Sequence, residues 1–290
     1  MTNKLIHSFY SKRCGQDWLF VHSCYFYLSA LYAKESGFDI TLYTDSDFKE
    51  IMEAAPYNGT VIVLDNHDEY AKIDPQFWAW PKFIALDMVP RDTIHIDGDV
   101  FLKDGFDKSL LNTDNCDAIC QCLEHCIKKT TIDSYQASFN TIKHIDFPSF
   151  IEKKVPVCMP NNGVMCIKNE KLWEEYRDTY WDMLKQCPNG SLKPEGWSVP
   201  DIIFEQHFLK EICDERGYNI KYILNGITEE ELTLDAVAKH YQHVCTDKRI
   251  KIAQCLKLIK KKSKICYETL KFYWKDIFPM YFEEKNDIFS

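Results

Sequence analysis

Thr93-Ile94-His95-Ile96-Asp97-Gly98-Asp99-Val100-Phe101-Leu102 sets two carboxylates around a glycine directly after a short β-branched run. The run reads as a buried strand. Alternate side chains of a strand share a face, so Asp97 and Asp99 are expected on the same side. Gly98 leaves the backbone room to turn or to approach a ligand closely. Two like charges at a strand end are costly unless positive charge joins them, and a divalent cation meets that need. Hard oxygen ligands favour Mg²⁺ or Mn²⁺, ions held by one or two carboxylates together with substrate phosphates. The alternative is a solvated Asp-Gly-Asp turn with no ligand at all.

Outward from this stretch, strand-like and helix-like segments alternate. Residues 5–10 read as a first strand and 18–36 as a helix ended by Gly37. Residues 38–45 read as a second strand, 48–55 as a helix and 60–64 as a third strand. Trp78-Ala79-Trp80-Pro81-Lys82-Phe83 opens a further helix with Pro81 near its first turn. Strand–helix–strand repetition with short connections marks parallel βαβ units. The expectation is therefore an α/β fold with a mostly parallel central sheet flanked by helices. Ligands of such sheets bind beyond the carboxyl ends of the strands, where the acid pair falls.

Composition narrows the function. The chain has 290 residues, 46% of them hydrophobic, enough for one large core plus an appendage. No signal-peptide pattern opens the sequence, and no apolar run approaches the roughly 18–20 residues that cross a bilayer. Thirteen cysteines are scattered through a chain too large to need staples, so reduced thiols and a cytoplasmic location are expected. A net charge of −9 argues against nucleic acid as partner.

The charge is unevenly spread. Residues 248–264 hold eight lysines or arginines and no acid, with Ile250, Ala253, Leu256 and Ile259, and nearby Ile252 and Leu258, at helical spacing. Phe272, Tyr273, Trp274, Phe278, Tyr281 and Phe282 follow. The chain thus divides into residues 1–247 and a basic, amphipathic, helical extension over 248–290. Either the stretch 248–282 meets an anionic membrane at its inner face, or its apolar stripe packs on the main domain. Cys116, Cys120, Cys122, His125 and Cys126 invite a zinc site, but the spacing lacks separated Cys-x₂₋₄-Cys pairs, and Cys120 and Cys122 read as packed strand residues. Trp78, Trp80 and Trp197 offer surfaces on which a sugar ring could stack, though such residues more often serve packing.

Asp97-Gly98-Asp99 resembles the DxD motif of nucleotide-sugar glycosyltransferases of the GT-A fold, and the family 8-like group of glycogenins and lipopolysaccharide galactosyltransferases in particular. Lys82, Leu86 and Pro90-Arg91-Asp92 precede the motif as in that group. Pro160-Asn161-Asn162-Gly163-Val164 is similar to its Asn-x-Gly-Val element, and Glu205-Gln206 to its acidic-Gln pair. His240-Tyr241-Gln242-His243-Val244-Cys245-Thr246-Asp247-Lys248 is similar to its His-Tyr-x-Gly-x-x-Lys element, with His243 in place of glycine and Lys248 falling late. The order of these elements spans residues 4–248.

The resemblance implies a GT-A catalytic domain over 1–247 and a Mn²⁺ or Mg²⁺ ion on Asp97, Asp99 and His240. An imidazole ligand tilts the preference to Mn²⁺. The donor, a UDP-sugar, would meet Lys82, Asp97, Gly98 and Lys248, with His7 and Tyr10 of the first strand counted alongside. Asn161 and Asn162 suit sugar hydroxyls, or form an Asn-Asn-Gly turn. Glu205 or Asp201 would be the general base of an inverting reaction, or would stabilise the transition state of the retaining one that the resemblance implies. The acceptor would be a glycan or a lipid-linked glycan. Two other readings stay open: a sugar-nucleotide nucleotidyltransferase, for which Ser11-Lys12-Arg13-Cys14-Gly15 is a faint phosphate loop, and a non-catalytic glycan- or partner-binding domain of the same fold.

Overall fold

The computed structural model describes residues 4–54, 57–64, 72–125, 128–194, 196, 198–224, 240–244, 248–249 and 251–282. Cys126, Trp197, Ile250 and residues 245–247, all singled out above, lie outside them. The chain forms two units. One gathers Asp65–Ile96 and Asp107–Ala238; the other gathers Asn3–Leu64, Asp97–Phe106 and Lys239–Ser290.

In the second unit, β1 (Lys4–Ser8), β2 (Asp39–Thr44) and β3 (Thr60–Val63) pair in parallel, in the order β3-β2-β1. Helix α1 (Gln16–Glu35) joins β1 to β2, and α2 (Ser46–Glu53) joins β2 to β3. From Phe20 to Ala33, α1 is buried almost all round, as befits a core helix rather than a surface one. Asp45, at the end of β2, caps α2 by accepting from the amides of Asp47 and Phe48 at 3.1 Å. The short β5 (Val100–Leu102) pairs antiparallel with β9 (Tyr241–His243) and packs on α1.

The basic segment also belongs to this unit. It forms two helices, Ile252–Lys262 and Lys264–Trp274, separated by Ser263, whose hydroxyl caps the second. Ile252, Cys255, Leu256 and Ile259 are buried, and this helix packs on α1. The buried stripe keeps Ile252, Leu256 and Ile259 of the expected one and differs at two places: Ala253 is exposed and Cys255 takes a core place. Phe278 stacks on Phe20 at 4.8 Å between ring centroids, with Trp274 at 5.7 Å. Much of the aromatic tail is therefore spent on α1, and packing on the domain, rather than lipid, accounts for the apolar stripe.

The first unit holds α3 (Trp80–Asp87), β4 (Ile94–Ile96), β6 (Ala118–His125), α4 (Lys129–Thr141), β7 (Cys158–Ile167) and α5 (Glu170–Leu184). Helix α6 (Pro200–Ile202) runs through a π-helical turn, Ile203–His207, into α7 (Phe208–Arg216), and β8 (Ile220–Tyr222) follows. The strand order is β4-β7-β6-β8, antiparallel except for β6 with β8. Helices α5 and α7 lie against β7. Cys120 and Cys122 are wholly buried on β6, where they pack as small apolar side chains. The architecture is α/β: the small β5–β9 pair aside, three of the five strand pairings within the units are parallel, and helices flank the strands.

One local expectation changes. Asp97-Gly98-Asp99 is not strand but the turn between β4 and β5, closed by the Val100 amide donating to the Asp97 carbonyl at 3.0 Å. A Cβ on Gly98 would run into the Phe26 ring of α1. The glycine is required by close packing on a core helix, and the turn, not strand alternation, gathers the two acids.

Candidate functional site

The residues expected to act fall into two groups, one in each unit. In the second unit, the register of β5 with β9 sets His243 opposite Val100, and the Val244 amide donates to the Asp99 carbonyl at 3.1 Å. The imidazole therefore lands beside the acid turn. One ligand atom each from Asp97, Asp99 and His243 lie within 4.8 Å of one another. Asp99 is buried; Asp97 and His243 are half-buried.

Lys248 Nζ lies 2.8 Å from Asp99 Oδ2, and His243 Nε2 lies 3.5 Å from Oδ1. Burial alone would raise the Asp99 carboxyl. Lys248, and after it His243, outweigh burial and hold the group well below the usual carboxylate range. An ionised buried carboxylate, a second acid and an imidazole make a donor set that fits a divalent cation. His240, expected as the third ligand, is not in this group. It takes a left-handed φ of 55°, and its ring lies 3.2 Å from where a Cβ on Gly105 would sit.

His7 lies in the core of the same unit. Its Nδ1 is 2.9 Å from the Tyr57 hydroxyl and its Nε2 is 3.0 Å from Ser29 Oγ. Burial pushes its pKa down to about 3, against a weaker upward pull from Asp99, so the ring is neutral. With no exposed surface, His7 ties β1 to α1 and cannot touch a ligand. Tyr10 is half-buried and precedes a 3₁₀ turn over Ser11–Arg13.

The first unit holds a buried polar cluster. Lys82 on α3, 5% exposed, pairs with the Glu205 carboxylate and donates to the Asn162 carbonyl at 3.1 Å. Asn162 Nδ2 donates to the Glu205 carbonyl at 3.0 Å, as does the Tyr176 hydroxyl at 2.5 Å. The wholly buried Asn162 Oδ1 has no hydrogen-bond partner among the described residues. Asn161 Nδ2 donates to Glu124 Oε1 at 2.7 Å, and its Oδ1 accepts from the Gly163 amide at 2.9 Å.

Asp201, wholly buried, accepts from the amides of Trp78 (2.6 Å) and Ala79 (2.5 Å) and from the Tyr180 hydroxyl (3.0 Å). It thereby ties down the segment leading into α3 from a distant part of the chain. Burial, then the nearby Glu205, push its pKa up to about 7 against those three donors. Glu205 sits in the π-helical turn, a distortion often found at functional sites. Trp78 is 53% exposed, whereas Trp80 is in the core. Tyr176, Tyr180 and Glu124 escaped notice in the sequence. The two tyrosines share a face of α5 at i, i+4, but that spacing looks like any packed helix face.

Over residues 4–287 the sequence matches a family described as "Family of unknown function (DUF6734)". No curated protein sequence matches the chain. Among the solved structures similar to it are the following three. The galactosyltransferase LgtC, in complex with donor and acceptor sugar analogues, shares 10% identity and a TM-score of 0.44, covering 90% of this chain and 96% of LgtC. An inositol-1-phosphate CTP transferase from T. maritima shares 10% identity and a TM-score of 0.38, covering 82% of this chain and 96% of its own. Mouse xyloside xylosyltransferase 1 shares 13% identity and a TM-score of 0.35, covering 82% of each chain.

Proposed function

The chain belongs to the DUF6734 family, and we propose that it is a metal-dependent glycosyltransferase, moving a sugar from a UDP-sugar to a glycan or glycolipid acceptor. The observation that carries this reading is the convergence of Asp97, Asp99 and His243. The order of the DxD, Asn-Asn-Gly and Glu-Gln elements in the sequence supports it. Asp97, Asp99 and His243 would hold Mn²⁺ or Mg²⁺, which when bound supplies Lewis-acid neutralisation of the departing diphosphate.

The chain's own groups have distinct roles. Lys248 brings a positive charge to the same group and suits a phosphate oxygen. Asn161 and Asn162 offer amide donors and acceptors suited to hydroxyls. Asp201 is bound by two backbone amides and a tyrosine, and Glu205 is neutralised by Lys82, so neither stands ready as a general base. That favours transfer with retention, in which Glu205 and Lys82 order the Asn162 backbone rather than take a proton. Peripheral contact with the inner face of an anionic membrane belongs to the same reading. It would rest on Ile265, Phe272 and Met280, exposed beside Lys264, Lys271 and Lys275. Among the described residues no helix is long and apolar enough to cross a membrane.

The test is release of nucleoside diphosphate from a panel of nucleotide sugars, with Mn²⁺ and with chelator, on wild type and Asp99→Ala. Metal-dependent UDP release from one sugar nucleotide, lost in Asp99→Ala, is the expected result. No metal-dependent nucleotide binding would sink the reading. Pyrophosphate release from a nucleoside triphosphate with a sugar phosphate would replace it by a nucleotidyltransferase.

A further inference from the structure

We propose that Lys248 is a built-in counter-ion: its ammonium holds the place of positive charge at Asp99 until a divalent cation arrives, and it then leaves Asp99 for an anionic ligand. This rests on reading Asp97, Asp99 and His243 as a metal group.

Four observations in the second unit carry it. The Asp99 side chain is only 8% exposed, so its charge needs a partner in the absence of metal, and Lys248 Nζ at 2.8 Å from Oδ2 is that partner. Oδ2 itself is shut away from solvent, so the ammonium rather than water meets its charge. The Lys248 backbone is anchored, its carbonyl accepting from the Tyr25 hydroxyl of α1 at 2.9 Å, while its side chain keeps 24% of its surface in solvent. A long flexible stem on a fixed backbone lets the ammonium swing while its Cα stays in place. Finally, His243 already approaches the other oxygen, Oδ1, at 3.5 Å, so a ligand set stands assembled around the carboxylate that Lys248 occupies.

An ammonium and a divalent cation on one carboxylate repel each other, so Lys248 must give up Asp99 as the metal group fills. Leaving is easiest when a phosphate or similar anion takes the amine. Anion and metal thus each make room for the other, and by linkage each raises the affinity for the other equally. The device keeps the acid pair charge-balanced when empty and discourages capture of metal without the anionic ligand.

The decisive experiment titrates Mn²⁺ alone, by calorimetry, into wild type, Lys248→Met and Lys248→Arg. Without its competitor, Lys248→Met is expected to bind Mn²⁺ about tenfold more tightly than wild type, and Lys248→Arg, which keeps the charge, close to wild type. Circular dichroism checks the fold, and Lys248→Gln makes the same comparison should the methionine variant not fold. Equal or weaker Mn²⁺ binding after removal of the charge overturns the counter-ion role while leaving the metal group standing. Absence of Mn²⁺ binding in every protein, including wild type, overturns the metal group and the counter-ion role together.

Discussion

Asp201 shows how one buried carboxyl can look catalytic and be architectural. Its pKa is pushed up to about 7, a value suited to a general base, yet its oxygens already serve Trp78, Ala79 and Tyr180 and none of its surface is exposed. The shift instead makes a stability prediction. The folded carboxyl keeps its proton to about pH 7, the unfolded one only to 3.8, so the folded state binds more protons between those values. Stability contributed by this group is therefore present at low pH and declines as pH rises through that window. Asp201→Asn is expected to flatten the fall between about pH 4 and pH 7 in urea denaturation. Identical slopes for the two proteins would show that Asp201 does not titrate there. The sequence offered the residue as a general base or transition-state group; only the tertiary structure showed that its partners are the amides of Trp78 and Ala79, just before α3.

At the scale of elements, the helix Ile252–Lys262 decides between two fates for a basic amphipathic stretch. Its stripe of Ile252, Cys255, Leu256 and Ile259 faces α1, and Lys262 reaches back to pair with Glu35 and to lie over the Tyr32 ring at 4.0 Å. Leu256→Ala is expected to cost about 2–5 kcal/mol of unfolding free energy in solution. Lys257→Ala, on the exposed face, should stay within about 0.5 kcal/mol. Denaturation curves for Leu256→Ala that overlay wild type would mean the stripe is not part of the core. Helical periodicity was legible in the sequence because it is local. The exchange of Ala253 for Cys255 in the stripe was not, because α1 selects which residues it buries, and Cys255 serves there as well as an aliphatic residue.

For the whole molecule, the order of segments matters more than any boundary drawn along the chain. The second unit takes residues from the beginning, the middle and the end of the sequence, so residues 248–282 complete a unit that starts at β1. A chain ending at residue 247 would lose both basic helices and Lys248 and would uncover the face of α1 that they bury. It is expected to aggregate or to lose near-ultraviolet circular dichroism, and a truncated chain that remains folded and monomeric by gel filtration would show the extension to be separable. By itself the sequence determined the alternation of strands and helices, the acid pair at 97 and 99, and the need for positive charge beside it. Each of these follows from interactions between near neighbours: side-chain period, glycine freedom and repulsion of like charges. Only the tertiary structure decided that His243 rather than His240 joins the acids, that Gly98 serves Phe26, and that Lys82 is spent on Glu205 and Asn162. Those outcomes depend on strand register and burial, which bring together residues far apart in the chain, and no local spacing encodes them.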